Sequence, residues 1–213
     1  MSLRRADESL LHIGEGLELD PLAVIGEVPA RKISTLELFL GAGAVIRSGS
    51  VIYAGSRIGA RFMTGHNVVI REENVIGDDV AVWSNSVVDY GCEIGDGVKI
   101  HTGVYVAQFT RIREGAFLAP GVMIANDPHP GCAHSRECMR GPTIERNAQI
   151  GVNVTLLPFV TIGESALIGS GSVVTKDIPP RMVAYGNPAR VVSSIDDLQC
   201  VVDPKLVDHP YKR

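Results

Sequence analysis

The sequence predicts an all-β fold, a parallel β-helix wound from six-residue units. Three observations predict it. Counted in sixes, inward positions run Ile46, Ile52, Ile58, Thr64, Ile70, Ile76, Val82, Val88, Ile94, Ile100, Val106, Ile112, Leu118 and Ile124. After one interruption the spacing resumes as Ile144, Ile150, Leu156, Ile162, Ile168 and Val174, so nineteen of twenty positions are Ile, Val or Leu. Four residues on stands mostly a small or β-branched residue, as at Ser50, Ser56, Val80, Ser86, Cys92, Val98, Ala148, Ala166 and Ser172. The residue before that is often a turn former, as at Gly49, Gly55, Asn67, Asn85, Gly91, Gly97, Gly103, Gly121, Asn153 and Gly171. A helical period would smear this pattern, and a half-buried strand would alternate at every second residue. A fixed period of six means a solenoid of short strands.

Each part of the unit has its own reason. The aliphatic residue sits on a short strand and fills the interior. The bend after it needs a left-handed backbone, which Gly adopts freely and Asn tolerates. Three units close one triangular coil, so residues eighteen apart stack on one face. Coils stacked at about 4.8 Å make nearly seven coils a prism roughly 30 Å tall. The first face carries Ile46, Thr64, Val82 and Ile100, the second Ile52, Ile70, Val88 and Val106, and the third Ile58, Ile76, Ile94 and Ile112. Residues flanking these point outward. On the third face they are Arg57, Glu93, Arg111, Arg113 and Glu145, a solvated surface. On the second they are Val51, Val69, Val87, Tyr105, Met123 and Val173, an apolar stripe of the kind that marks an interface. With Met63, Trp83 and Phe117 on the first face, the stripe predicts an oligomer.

The ends do not keep the hexad. Residues 1–44 read as a cap or irregular first coil, residues 45–190 as the β-helix with an insertion at 125–142, and residues 191–213 as a C-terminal tail. Within the first segment, Ser34–Leu40 reads as a short strand or helix. Caps are needed because an open coil exposes unpaired strand groups.

The 213 residues suffice for one sizeable core, and their net charge of −4 comes without a basic stripe, which argues against nucleic acid as a partner. No apolar run is long enough to span a bilayer and Met1–Asp20 is mixed and charged, so cytoplasm is the expected location. Disulfides are then not expected among Cys92, Cys132, Cys138 and Cys200. Cys92 falls on the small inward corner position and reads as a packing residue.

Ile124 and Ile144 are twenty residues apart instead of six, so fourteen residues leave the corner between the second and third faces. A loop held on a rigid scaffold is where function concentrates. Acid–base chemistry in such a loop needs a proton acceptor and donors for a developing oxyanion. His129 suits the first role because imidazole titrates near neutrality. Asp127 is the candidate for orienting that imidazole, and backbone N–H groups are candidates for the oxyanion. His101 projects near Trp83 and Phe117, and with His66 it is a candidate substrate contact.

The hexad, the run Ile168–Pro180 with its Val-Val-Thr-Lys-Asp core, and the run Ala184–Arg190 with Gly-Asn-Pro-Ala-Arg together resemble the hexapeptide-repeat acetyltransferases. The resemblance covers roughly residues 45–191. It implies a left-handed parallel β-helix, a trimer with active sites between neighbouring prisms, and acetyl-coenzyme A as acetyl donor. It implies a sugar acceptor, with the amine of a nucleotide-linked amino sugar first and O-acetylation of a free sugar or antibiotic as the alternative. Sugar O-acetyltransferases of the family carry a His-Pro pair that matches His129-Pro130, with the histidine as base. The amino-sugar enzymes keep an Asn that matches Asn126, and some place amide residues over the stretch matching His101–Gly103. The coenzyme arm would lie against Gly151, Gly169 and Ser170, with Lys176 and Arg190 toward its phosphates.

No metal is expected. His129, Cys132, His134 and Cys138 lie within ten residues but without a paired knuckle. A zinc-binding protein like the γ-class carbonic anhydrases, or a non-catalytic β-helix subunit, is the reading from a different class. His66 and His101 are thirty-five apart, one short of two coils, so they point differently from the prism.

Overall fold

The computed structural model describes residues 5–202 and 209–211. The strands form the expected three-sided, left-handed parallel β-helix, with every third strand in sequence joining the same sheet. Val82 pairs with Ile100 and Ile100 with Leu118, eighteen residues at each step. Across the insertion the register holds, because Ile112 pairs with Ile144 and Leu118 with Ile150. The loop therefore leaves the prism without disturbing its stacking.

The inward column is buried from Leu38 and Ile46 through Val174. Burying each such side chain contributes about 1.5–3 kcal/mol relative to exposure, which is why the aliphatic position tolerates little else. Thr64 is the exception and is also buried. Its Oγ1 accepts the Arg47 N–H at 2.9 Å, so the hydroxyl enters the core with a partner.

The bends are left-handed at each corner. Gly49, Gly91 and Gly103 lie at φ of 77°, 71° and 72°, and so do Asn67 and Asn85 at 56° and 60°. Arg61, Glu73, Phe109 and Phe159 adopt the same conformation at 54°, 58°, 61° and 66°, although nothing in their side chains favours it. Arg61, Glu73 and Phe109 are held by the coil before them, as where Arg61 N–H donates to Ala42 O at 2.8 Å. Ladder bonds on both sides offset the roughly 1–2 kcal/mol that a left-handed non-glycine costs.

Winding begins earlier than the hexad. Leu11–Ile13, Glu18–Leu19 and Val24–Glu27 each add one strand to a sheet, and Ser34–Leu40 resolves as the strand Leu38–Leu40. At the other end the chain reverses. Strand Met182–Gly186 joins the first-face sheet in parallel and Ala189–Ser194 pairs antiparallel to it. Much of the tail expected after residue 190 is thus a strand that covers the sheet edge, followed by a single turn at Ile195–Asp197. Among the described residues no helix is long and apolar enough to cross a membrane. Cys92 is buried at its corner, and burial pushes its thiol up to about 12.

Candidate active site

The insertion is closed at its neck, where the Arg140 N–H donates to Asn126 O at 2.8 Å. Within it a short helix spans Ser135–Cys138. Asp127 organises the rest. Its Oδ1 accepts the backbone N–H of His129 at 2.9 Å and its Oδ2 accepts the Ser135 hydroxyl at 2.5 Å. The Ser135 hydroxyl and then the His129 N–H hold the Asp127 carboxyl below the usual range. Asp127 thus reaches the main chain of His129, not its imidazole. The imidazole stands exposed, free for a proton transfer to something outside the chain. His134 Nδ1 lies 3.0 Å from Glu137 Oε2 on the exposed side of the loop. Cys132, Cys138 and these histidines form no metal-binding group, and none of three or more ligands occurs among the described residues.

Beneath the loop runs a ladder of polar side chains along the same corner. Asn126 Nδ2 donates to Gln108 Oε1 at 2.7 Å, and Gln108 Nε2 donates to Asp89 Oδ2 at 2.5 Å. Asp89 also accepts from Tyr105 Oη at 3.0 Å and faces Arg71 Nη1 at 3.8 Å. Burial, then the bond to Asp89, pushes the Tyr105 hydroxyl up to about 12, so it stays a donor. Arg71 in turn grips Glu72, which Arg31 holds from the other side at 2.5 Å. Sequence reasoning found Asn126 but missed Asp89 and Gln108. The signal was the eighteen-residue step from Gln108 to Asn126, which stacks them in neighbouring coils.

The other candidates gather at the next corner, between the first and second faces. Trp83 stacks on His101 with centroids 4.3 Å apart, and His101 meets Phe117 at 4.8 Å. Burial, then the charge of Lys99, lowers the His101 pKa, which keeps the ring neutral near pH 7. His66 is exposed, and with Trp83, Arg47, Met63 and Thr64 it lines a groove of about 200 Å³. Farther along, Gly151 and Ser170 line a second groove of about 220 Å³ with Phe117, Val152 and Tyr211.

The glycines there have structural reasons. A Cβ on Gly151 would lie 2.6 Å from Ile168 O, and one on Gly169 would lie 2.7 Å from Tyr185 Cβ. Ser170 Oγ accepts the Val152 N–H at 3.1 Å. Arg190 is exposed on the last strand opposite Tyr185, near this corner. Lys176 is exposed at the opposite corner, after the second face. Loop and grooves thus flank the two edges of the second face, whose outward residues are Val51, Val69, Val87, Tyr105 and the exposed Met123. Six residues of extended chain set those edges up to about 20 Å apart.

The model of the bacterial transferase hexapeptide, six repeats, matches residues 75–108 and 141–176. The repeat is the bacterial transferase hexapeptide. The two matched blocks leave residues 109–140, and with them most of the insertion, unmatched. Galactoside O-acetyltransferase of Escherichia coli K12 is 36% identical over 130 residues, covering 57% of this chain and 64% of that protein. A putative acetyltransferase of Staphylococcus aureus MRSA252 is 39% identical over 128 residues, covering 56% and 64%. The hexapeptide-repeat chain therefore spans less than two thirds of the length of these curated relatives. The polysialic-acid-specific acetyltransferase NeuO superposes with a TM-score of 0.53 at 21% identity, over 86% of this chain and 79% of that one. The Arabidopsis UDP-N-acetylglucosamine acyltransferase gives 0.53 at 18%, over 86% and 70%. At these identities the two structures speak for the fold.

Proposed function

We propose that the chain is an acetyl-coenzyme A-dependent acetyltransferase acting on a sugar, first of all on the amine of a nucleotide-linked amino sugar. One observation carries the reading. An inserted loop with a histidine exposed beside a braced aspartate stands at one edge of an apolar face, and ring-lined grooves stand at the other. The curated relatives supply the chemistry by likeness, since they are named acetyltransferases.

In this reading the functional unit is residues 45–190, and it works as a homotrimer in the cytoplasm. The second face is buried against a neighbouring prism, which brings one copy's loop toward another copy's grooves. Trp83, His101 and His66 contact the sugar, and Gly151, Gly169 and Ser170 line the path of the pantetheine arm. Arg190 meets the nucleotide phosphates, with Lys176 as a second cation from the adjoining edge.

The chemistry balances as follows. The acceptor amine forms the new C–N bond to the thioester carbonyl carbon, and the C–S bond breaks. His129 takes the proton that the nitrogen sheds and returns it to the leaving sulfur, so coenzyme A departs as the thiol. Asp127 holds the main chain of His129 in place, and Asn126 contributes a polar group at the loop's neck.

Calorimetric titration with acetyl-coenzyme A tests the donor half. The expected result is saturable binding near one site per chain, and no binding up to millimolar concentration would sink the reading. O-acetylation is kept as the second reading because His129-Pro130 and the galactoside O-acetyltransferase likeness favour it. Product stability separates the two, since esters hydrolyse in mild base and amides persist.

A further inference from the structure

The ladder beneath the loop has a direction. Asp89 receives the Tyr105 hydroxyl, the Tyr90 N–H at 2.8 Å and Gln108 Nε2, and a carboxylate flanked by donors only accepts. Gln108 must therefore turn its NH₂ group to Asp89 and its carbonyl to Asn126. That carbonyl in turn takes an N–H of Asn126, at 2.7 Å. Each amide has two possible orientations, and the carboxylate at the end of the chain selects one for both.

The selection leaves Asn126 Oδ1 turned away from Gln108. No hydrogen bond reaches this oxygen among the described residues. Glu27 Oε2 is the one side-chain atom there that is both sealed from solvent and without a partner. The Asn126 oxygen is therefore reachable, although the residue as a whole is buried at 9% exposure. A buried side chain with a fixed orientation and one open acceptor, set at the neck of the loop that bears His129, is built to receive a donor.

We propose that Asp89 and Gln108 are positioning residues that fix Asn126 so that its Oδ1 accepts an N–H or O–H of the sugar acceptor. The proposal rests on the transferase reading above. Its chemistry suits an amine in particular. An amine that donates one N–H to Asn126 keeps its lone pair for the thioester carbon, and the hydrogen bond restricts the direction from which it attacks. Asp89 and Gln108 touch no reacting atom and act only through Asn126.

Two variants of the full chain test it. Gln108→Met keeps the side chain's length and removes both bonds. Asp89→Asn keeps the shape but lets the amide chain run either way. The first readout needs no acceptor: the side-chain NH₂ resonances of Asn126 in the ¹⁵N spectrum. One of its protons should exchange slowly in the wild type, and this protection should be lost in Gln108→Met and reduced in Asp89→Asn. The second readout is thiol release from acetyl-coenzyme A, with a methyl galactoside and a nucleotide-linked amino sugar as acceptors. Acceptor kcat/KM should fall about tenfold in Gln108→Met, the scale of one hydrogen bond, mainly through KM. The calorimetric Kd for acetyl-coenzyme A should stay within about twofold of wild type.

Asn126 resonances unchanged in both variants would overturn the positioning role. Altered resonances with unchanged acceptor kinetics would overturn the role of Asn126 Oδ1. A wild type that binds acetyl-coenzyme A but releases no thiol with either acceptor would refute the acceptor half, whereas a wild type that binds no acetyl-coenzyme A refutes the transferase reading itself. If Gln108→Met does not fold, Asp89→Asn and the exchange protection of the wild-type amide still decide the matter.

Discussion

Trp83 lies nearly parallel to His101, with ring centroids 4.3 Å apart and planes 17° from coplanar. Trp83 is the single tryptophan, so its emission reports on this corner alone. A protonated imidazole quenches a stacked indole, and burial then Lys99 pulls the His101 pKa down. The folded protein thus binds this proton less readily than the unfolded chain. The corresponding stability is present above the ordinary histidine value of about 6.5 and is lost as pH falls through the lowered one. Emission should therefore drop in a step whose midpoint lies below about 6.5, and His101→Gln should abolish the step. A midpoint at or above the ordinary value would contradict the burial argument.

His129→Ala should lower turnover by at least about a hundredfold, the usual scale of a general base. The side chain is exposed, so unfolding should be almost unaffected. Steady-state kinetics alongside thermal melts separate the two effects. Turnover close to wild type would remove His129 from the mechanism.

Ser135→Ala should loosen the loop without touching the prism. The Ser135 hydroxyl is the first cause of the lowered Asp127 carboxyl, with the His129 N–H second. A lowered carboxylate supports the fold above its ordinary value of about 3.9, and the support fades as pH falls through the lowered one. Amide exchange across residues 127–138 should be faster in the variant at neutral pH. Equal protection in the two proteins at neutral pH would show that the brace contributes nothing.

The prism was legible in the sequence because one column of aliphatic residues, repeated every six, fixes strand, face and register together. Glycine and asparagine stand at about two thirds of the left-handed bends. Arg61, Glu73 and Phe109 did not announce theirs, since their left-handed conformation is imposed by neighbouring coils and not by their side chains. The first coil was hidden because Leu11 pairs with Leu38, twenty-seven residues on, where the repeat allows eighteen. Asn126, Asp127 and His129 were visible because the insertion breaks the count. Asp89 and Gln108 were not, because a polar residue at an outward corner is ordinary until its stacked neighbours are known.

Gly103 and Gly151 separate two reasons for a corner glycine. Gly103 has φ of 72° and nothing within 4 Å of an added Cβ, so Gly103→Ala should cost only the backbone term, about 1 kcal/mol. Gly151 has no left-handed φ, yet an added Cβ would lie 2.6 Å from Ile168 O and 2.7 Å from Ser170 N. Backbone cannot yield there without parting two coils, so Gly151→Ala should cost several times more, about 3 kcal/mol. Denaturant midpoints with unchanged slopes check both. A mild Gly151→Ala would mean that the coils part more easily than their ladder bonds suggest.

Glu72 gives the sharpest test of the N-terminal winding. Its side chain is fully buried, with Arg71 bonded at 2.9 and 3.0 Å and Arg31 at 2.5 Å. Burial alone would raise its carboxyl; Arg71, the residue's own backbone N–H and Arg31 together outweigh this and hold it below the usual range. Arg31 lies between strands Val24–Glu27 and Leu38–Leu40, and its guanidinium also covers Tyr90 at 4.1 Å from the ring centroid. One carboxylate thus ties the first coil to the coils that follow. Removing a partner from a buried ion pair strands the remaining charges, so Glu72→Ala should destabilise by about 3 kcal/mol or more. Its stabilising contribution should also fade as pH falls below the ordinary glutamate value of about 4.3, because the unfolded chain then takes up a proton that the lowered carboxyl of the folded protein resists. Glu93 is the control. It meets Arg111 at 3.3 Å and Arg113 at 3.6 Å, but on the open third face where water screens the pair. Glu93→Ala should leave the midpoint essentially in place. Equal effects from the two substitutions would mean that burial does not govern the Glu72 cluster.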